Sequence, residues 1–269
     1  MKFGKLLKQQ IQETLPGWRD KFLSYKELKK LVRQISSAPE ELRFSKVEAD
    51  FVYLLNREVE KFNGFFLEKE EDFIIKHTEL KQRIQGITDG FGQEGSQPSE
   101  KLYKEEMALI RRDIVDFHGE MVLLMNYSNI NYTGLAKILK KYDKRTGGLL
   151  RHPFIQKVLQ QPFFTTDLVS DLIKECEAAI DAVFPLEERE KAGELKEVVS
   201  SVADEGIFRK SIAALKTMQE IRKGSSTYGR FSLPPLNLPD SDLTHLLQMN
   251  SPSSSYHHIL PLEGYYRNG

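Results

Sequence analysis

The chain of 269 residues has a single cysteine, Cys176, too few to close an intrachain disulfide or to supply a thiolate metal cluster. That scarcity fits a reducing compartment. No apolar run approaches the ~20 residues that a membrane span requires; the longest, around Met121–Met125, is far shorter. The first residues, MKFGKLLKQQ, turn polar at once and lack a signal peptide's continuous apolar stretch. Neither a G-x-S-x-G elbow nor an H-E-x-x-H motif occurs, and the six histidines (His77, His118, His152, His245, His257, His258) show no ligand spacing among themselves or with Cys176. These absences predict a soluble intracellular protein that is not an enzyme and has no metal centre or cofactor.

What is present reads as helix. Phe3, Leu7, Ile11 and Leu15 step by four until Pro16-Gly17. A second helix is predicted from about Trp18 or Asp20, with Leu28, Leu31, Val32 and Ile35 on one face, and Pro39 lies beyond its end. A long pattern runs from about residue 40 to 85 through Phe51, Leu54, Leu55, Val59, Phe62, Phe65, Phe66 and Phe73. The Gly-rich segment 86–100 reads as a loop, and helix resumes from about Lys101 to beyond Lys144 through Ile110, Ile114, Phe117, Met121 and Leu124. Two such helices would lie antiparallel, each ~60 Å long. Shorter helices are expected near 153–160, 166–183, 187–199 and 204–223. The fold class is therefore all-α: an N-terminal helical hairpin packed on a bundle with two long helices, then shorter C-terminal helices. From Gly224 onward five of the eleven prolines and many serines accumulate, the composition of a largely disordered tail.

Two motifs match by letter only. Gly90-Phe91-Gly92-Gln93-Glu94-Gly95 has the spacing of a dinucleotide-binding loop, but that chemistry needs a preceding strand, and the surroundings are helical. Asn126-Tyr127-Ser128 and Asn131-Tyr132-Thr133 are glycosylation sequons in a chain without secretory features.

The charge pattern is more informative. Residues 1–34 hold nine basic and three acidic side chains, and residues 133–152 hold six basic against Asp143 alone, which leaves −11 on the rest of a chain of net charge 0. Lys137, Lys140, Lys141 and Lys144 fall at i, i+3, i+4, i+7, within an arc of about 100°. Lys26, Lys29, Lys30 and Arg33 repeat that spacing. Each stripe lies opposite an apolar one: Leu135, Ile138, Leu139 and Tyr142 in one helix, Leu28, Leu31, Val32 and Ile35 in the other. Like charges at i,i+4 cost a few tenths of a kcal/mol per pair, and a merely solvated face usually mixes in glutamate. Lys2, Lys5 and Lys8 add to the same sign. Lysine's compact ammonium suits clustered phosphates as a point charge. Tyr25, one turn before Lys29, adds a phenolic donor. The pattern points to a localised polyphosphate site more than to general affinity for polyanions.

The blocks MKFGKLLKQQIQETLPGWRDKFLSYKELKK and DFHGEMVLLMNYSNINYTGLAKILKKYDKRTGGLLRHPFIQKVLQQPFF resemble the SPX domain family, and in particular its short stand-alone plant members. The resemblance covers roughly residues 1–165, with a weaker trace to about 225. It divides the chain into an SPX domain (1–165), a helical extension (166–223) and a tail (224–269). It implies binding of inositol polyphosphates, above all inositol pyrophosphates, as reporters of cellular phosphate. It assigns a phosphate-binding cluster to Tyr25, Lys29 and Lys140, and an adjoining lysine surface to Lys137, Lys141 and Lys144 with Lys2. Family members of this kind, when loaded, bind MYB-type phosphate-starvation transcription factors and keep them from DNA, which implies residence in nucleus and cytoplasm. Two rival expectations differ in class: direct nucleic-acid binding through the same lysines, and an adaptor working through the tail, where Leu243–Met249 and Ile259–Tyr266 are its apolar segments. Neutral pI and short basic patches speak against the first.

Overall fold

The computed structural model describes residues 3–37, 46–92, 100–183 and 205–223. All of them belong to the first of two compact units, Met1–Leu236; the second is Asn237–Gly269. Seven α-helices account for nearly all of the described residues: α1 (Phe3–Thr14), α2 (Tyr25–Ser37), α3 (Lys46–Gly92), α4 (Glu100–Thr146), α5 (Arg151–Val158), α6 (Asp167–Val183) and α7 (Glu205–Lys223). A short 3-10 turn, Pro16–Trp18, follows α1. No strand occurs among the described residues.

The long helices form because their apolar residues keep helical spacing over many turns. On α3, Phe51, Leu55, Val59, Phe62, Phe66, Phe73 and Leu80 are all buried. On α4 the same holds for Ile110, Ile114, Phe117, Met121 and Leu124. Each fully buried side chain of this size contributes about 1.5–3 kcal/mol of transfer free energy. The two helices have 47 residues apiece, hence about 70 Å of length each. They run antiparallel, since Lys76 pairs with Glu120 while Arg83, further along α3, pairs with Asp113, further back on α4.

Between Met121 and Leu135, α4 is buried all round except at Met125. The α1–α2 segment, α3, α5, α6 and α7 all pack against this helix. Both sequons lie within this stretch, and the side chains of Asn126 and Asn131 are fully buried. Of the histidines, His118 approaches Glu177 on α6 at 3.3 Å and His77 approaches Glu175 at 3.5 Å, so both act as contacts between helices.

The structure corrects two expectations. Residues 86–92 continue α3 instead of forming a loop. Their glycines cost about 1 kcal/mol each against alanine, but Thr88 Oγ1 donates to the Ile84 carbonyl and Gln85 Nε2 to Asp89 Oδ1, both at i,i+4 spacing. The G-x-G-x-x-G match thus begins inside a helix, with residues 93–99 outside the described residues. Second, α2 begins at Tyr25, not at Trp18 or Asp20. The predicted helix near 187–199 and the tail from 224 also lie outside the described residues.

Candidate anion-binding site

The late start of α2 has a definite cause. Four consecutive residues before it give backbone groups to side chains of α3 and α4. Tyr127 donates its hydroxyl to the Lys21 carbonyl at 3.0 Å, and Lys61 donates its ammonium to the Phe22 carbonyl at 2.9 Å. The Leu23 amide donates to Asn131 Oδ1 at 2.9 Å, and the Ser24 amide to Glu58 Oε2 at 2.9 Å. Glu58 is buried and also pairs with Lys61 at 2.8 Å. These tertiary bonds replace the i→i−4 ladder, so the backbone stays irregular until the Ser24 carbonyl accepts from Glu27 and Leu28 and opens α2. Trp18 packs edge-on against Phe65, with ring centroids 4.9 Å apart, and fixes the other end of the segment.

Tyr25 is placed by this segment. Its ring meets Phe3 of α1 edge-on at 5.0 Å. Half-burial pushes its phenol pKa up, which keeps the hydroxyl protonated and able to donate. Behind it the chains approach closely at Gly134: a β-carbon there would stand 2.4 Å from Leu23 Cδ2 and 3.3 Å from the Phe3 ring. Lys137, one turn beyond, lays its ammonium 5.7 Å from the Phe3 ring centre, a cation–π contact. The two basic stripes therefore converge. The apolar residues opposite them are buried, at Leu28, Val32 and Ile35 in α2 and at Leu135, Ile138, Leu139 and Tyr142 in α4, while Leu31 is half-buried.

Along α1, α2 and the C-terminal part of α4 runs a cleft of about 990 Å³. Leu7, Ile11 and Leu23 give it an apolar lining. Seven cations line it, namely Lys5 and Lys8 of α1, Arg19, Lys26, Lys29 and Arg33, and Lys141 of α4; Glu27 is the acid among them. The Lys141 pKa is depressed by burial first, and then by the charges of Arg145, Lys29 and Arg33. Such crowding of like charge is costly in the free protein and is relieved by a bound polyanion.

Of the residues singled out in the sequence, Tyr25, Lys29 and Lys141 line the cleft, and Lys137 stands beside it on Phe3. Lys140 and Lys144 are exposed on α4 and do not line it. The reason is angular: at 100° per residue, Lys140 and Lys141 stand at opposite edges of the basic arc, about 100° apart, so Lys141 enters the wall while Lys140 stays at its rim. Lys2 lies outside the described residues. Arg19 was not singled out, because it follows a 3-10 turn and belongs to no helical stripe. Arg33 and Lys26 were visible in the stripe, and Lys5 and Lys8 in the N-terminal run of like charge.

At the C-terminus of α4, Gly147 adopts a positive φ of 75° and its amide bonds the Asp143 carbonyl, which ends the helix. Asp143 Oδ1 then accepts from the amides of Leu150 and Arg151, which sets α5 back against the bundle and leaves Lys144 and Arg145 as the basic last turn. Among the described residues no group of three or more His, Cys, Asp or Glu is placed to hold a metal ion. No described helix is long and apolar enough to cross a membrane.

A cationic cleft lined by three helices of an all-α bundle defines a class of helical domain whose surface suits a polyanion. The SPX domain family model matches residues 1–45 and 79–158. SPX domain-containing protein 3 of Arabidopsis thaliana is 59% identical over 255 residues, which cover 94% of this chain and 98% of that protein. SPX domain-containing protein 5 of Oryza sativa subsp. indica is 56% identical over 243 residues, with coverage of 90% and 91%. The chain belongs to the SPX domain family. Among solved structures, the SPX domain of Chaetomium thermophilum glycerophosphodiester phosphodiesterase 1, in complex with inositol hexakisphosphate, has the same fold at 24% identity; the TM-score is 0.52, covering 68% of this chain and 99% of that one.

Proposed function

We propose that this protein is a sensor of intracellular phosphate status that takes inositol polyphosphates, including pyrophosphates, as its ligand. The observation that carries the reading is the convergence of two helical stripes of lysine and arginine at Lys141, where their mutual repulsion has no acidic stripe to offset it. The solved Chaetomium relative, in complex with inositol hexakisphosphate, supports the choice of ligand. In this reading Tyr25, Lys29 and Lys140 form the phosphate-binding cluster, with exposed Lys140 reaching the ligand from the rim beside the wall that Lys141 lines, and Lys137, Lys141 and Lys144, with Lys2, extend it. Tyr25 donates a hydrogen bond through its protonated phenol, and the lysines supply charge to the remaining phosphates. The domain boundary near residue 165 and the separate tail from 224 are part of the same proposal.

The loaded form binds a MYB-type phosphate-starvation transcription factor in nucleus and cytoplasm and inhibits it, without contacting DNA itself. Ligand and factor must then each raise the other's affinity by the same factor. Calorimetric titration with inositol hexakisphosphate tests the first step. Charge-assisted hydrogen bonds are worth about 1.5–3 kcal/mol each, so Lys29→Ala or Lys141→Ala should weaken binding roughly 10- to 150-fold in a chain that stays helical. Unchanged affinity in both variants refutes the site. Preference for DNA of equal phosphate content refutes the ligand.

A further inference from the structure

Lys141 differs in kind from the other three lysines of its stripe. Lys137, Lys140 and Lys144 are exposed, whereas Lys141 is half-buried in the wall of the cleft. It shares that wall with Lys29 and Arg33 of α2, and Arg145 stands one turn along its own helix. Among the described residues no carboxylate pairs with it. Leu7 and Leu23 line the same cleft and give it an apolar side. An amine held among fixed cations and partly withdrawn from water gives up its proton more readily than a free lysine, which is how enzymes activate lysine nucleophiles. The depressed pKa of this ammonium agrees with that placement. The same cations draw in anions. The cleft thus brings together an anion-collecting surface and an amine with access to its nucleophilic form, a combination that no exposed lysine of the stripe has.

We infer that Lys141 is a modification site: small acyl phosphates collect in the cleft and acylate its Nζ. The step is an ordinary acyl transfer. The neutral amine attacks the acyl carbonyl carbon, an N–C bond forms, and the C–O bond to phosphorus breaks. Inorganic phosphate leaves with the electron pair, and the extra proton on nitrogen passes to solvent. Arg33 and Lys29 hold the phosphate end of the donor, and the apolar lining accepts its acyl end. The product amide has no charge, so the modified chain loses one of the cations on which the proposed polyphosphate site rests. Acylation and ligand occupancy then oppose each other: a bound polyphosphate protects the amine, and acylation of the amine weakens polyphosphate binding.

The test incubates the full chain with acetyl phosphate at pH 8 and low ionic strength, then follows each lysine by peptide mass spectrometry. The expected result is that Lys141 is acetylated several-fold faster than Lys140 or Lys144. That preference should shrink with acetic anhydride, which has no anionic group for the cations to hold. It should shrink likewise in Arg33→Gln, a variant on the exposed side of α2 whose helicity is checked by circular dichroism. Equal rates at Lys140, Lys141 and Lys144 overturn the inference, as does a preference that is the same with the anhydride. Because the inference builds on the proposed ligand site, inositol hexakisphosphate is added in a parallel arm. Loss of the Lys141 preference there supports both readings. A preference that persists unchanged in saturating hexakisphosphate sinks the ligand assignment while leaving the reactive amine standing.

Discussion

Gly134 allows the sharpest test of how the site is assembled. An alanine there would place its β-carbon 2.4 Å from Leu23 Cδ2, with the Phe3 ring at 3.3 Å. Ordinary carbon contacts lie at about 3.5–4.0 Å, so Leu23 must retreat by more than an ångström. Leu23 is buried, and its amide is held by Asn131. Overpacking of this kind costs about 1–3 kcal/mol. Against it stands the gain of about 1 kcal/mol from replacing glycine inside a helix. Gly134→Ala should therefore come out between neutral and about 2 kcal/mol destabilising. Gly64, in the middle of α3 with nothing within 4 Å of its missing β-carbon, supplies the control, and Gly64→Ala should gain the full ~1 kcal/mol. Gly119 supplies a second control at a remote contact. Its β-carbon would meet Ile207 Cγ2 at 2.6 Å and Ser211 Oγ at 2.8 Å, against α7 and away from the cleft. Thermal unfolding reads the stabilities, at roughly 2–4 °C per kcal/mol for a chain of this size. Titration with inositol hexakisphosphate reads the site. Gly119→Ala should lose stability and keep its affinity, whereas Gly134→Ala should lose affinity, because Leu23 and Phe3 carry Tyr25 and Lys137. If Gly134→Ala stabilises as much as Gly64→Ala and binds the anion unchanged, the close approach does not hold the site and the argument fails.

Polyphosphate affinity should fall as pH rises through the Lys141 pKa, which lies below the ordinary 10.5, because the bound anion favours the ammonium that the empty cleft disfavours. Calorimetry in two buffers of different ionisation enthalpy should show proton uptake on binding in that range; Lys141→Arg, always charged, should abolish it, and uptake that survives in this variant assigns the proton elsewhere. Tyr127→Phe keeps every ring contact but leaves the Lys21 carbonyl without its donor, so it should cost about 0.5–1.5 kcal/mol in thermal unfolding, and no change would mean that the bond contributes nothing net. Burial and the nearby Glu177 push the Cys176 thiol up to about 12, so native protein at pH 8 should resist iodoacetamide until it is unfolded; equal rates in native and unfolded chains would contradict its placement between α6 and α4.

The helices were legible because their apolar residues repeat without interruption: the run from Phe51 to Phe73 and that from Ile110 to Leu124 needed only a period. The late start of α2 was not legible. It depends on Glu58, Lys61, Tyr127 and Asn131, distant residues whose side chains satisfy the backbone of 21–24, and no local window contains them. The glycines of 86–92 misled for the opposite reason: glycine weakens a helix by only about 1 kcal/mol per residue and, unlike proline, does not break its hydrogen-bond ladder, so α3 runs on through them. At the site, spacing identified the lysine face of α4 but not which of its members turns inward. That placement is made by the packing of α2 on α4, which sets Lys141 in the cleft wall. Arg19 shows the same limit, because cleft-lining residues outside a helix carry no period to read.

The packing of α7 also bears on where this protein can be cut. The family match ends at residue 158, yet α7 lies along α4 and also touches α1. Ala214, Leu215 and Met218 of α7 are buried, as are Val169, Leu172 and Ile180 of α6. A fragment ending at the edge of the matched region would uncover the face of α4 around Gly119 and Asn129 that these helices now shield. The smallest piece that folds on its own is therefore expected to reach through Lys223, so the stretch that the family model matches is shorter than the unit that holds itself together.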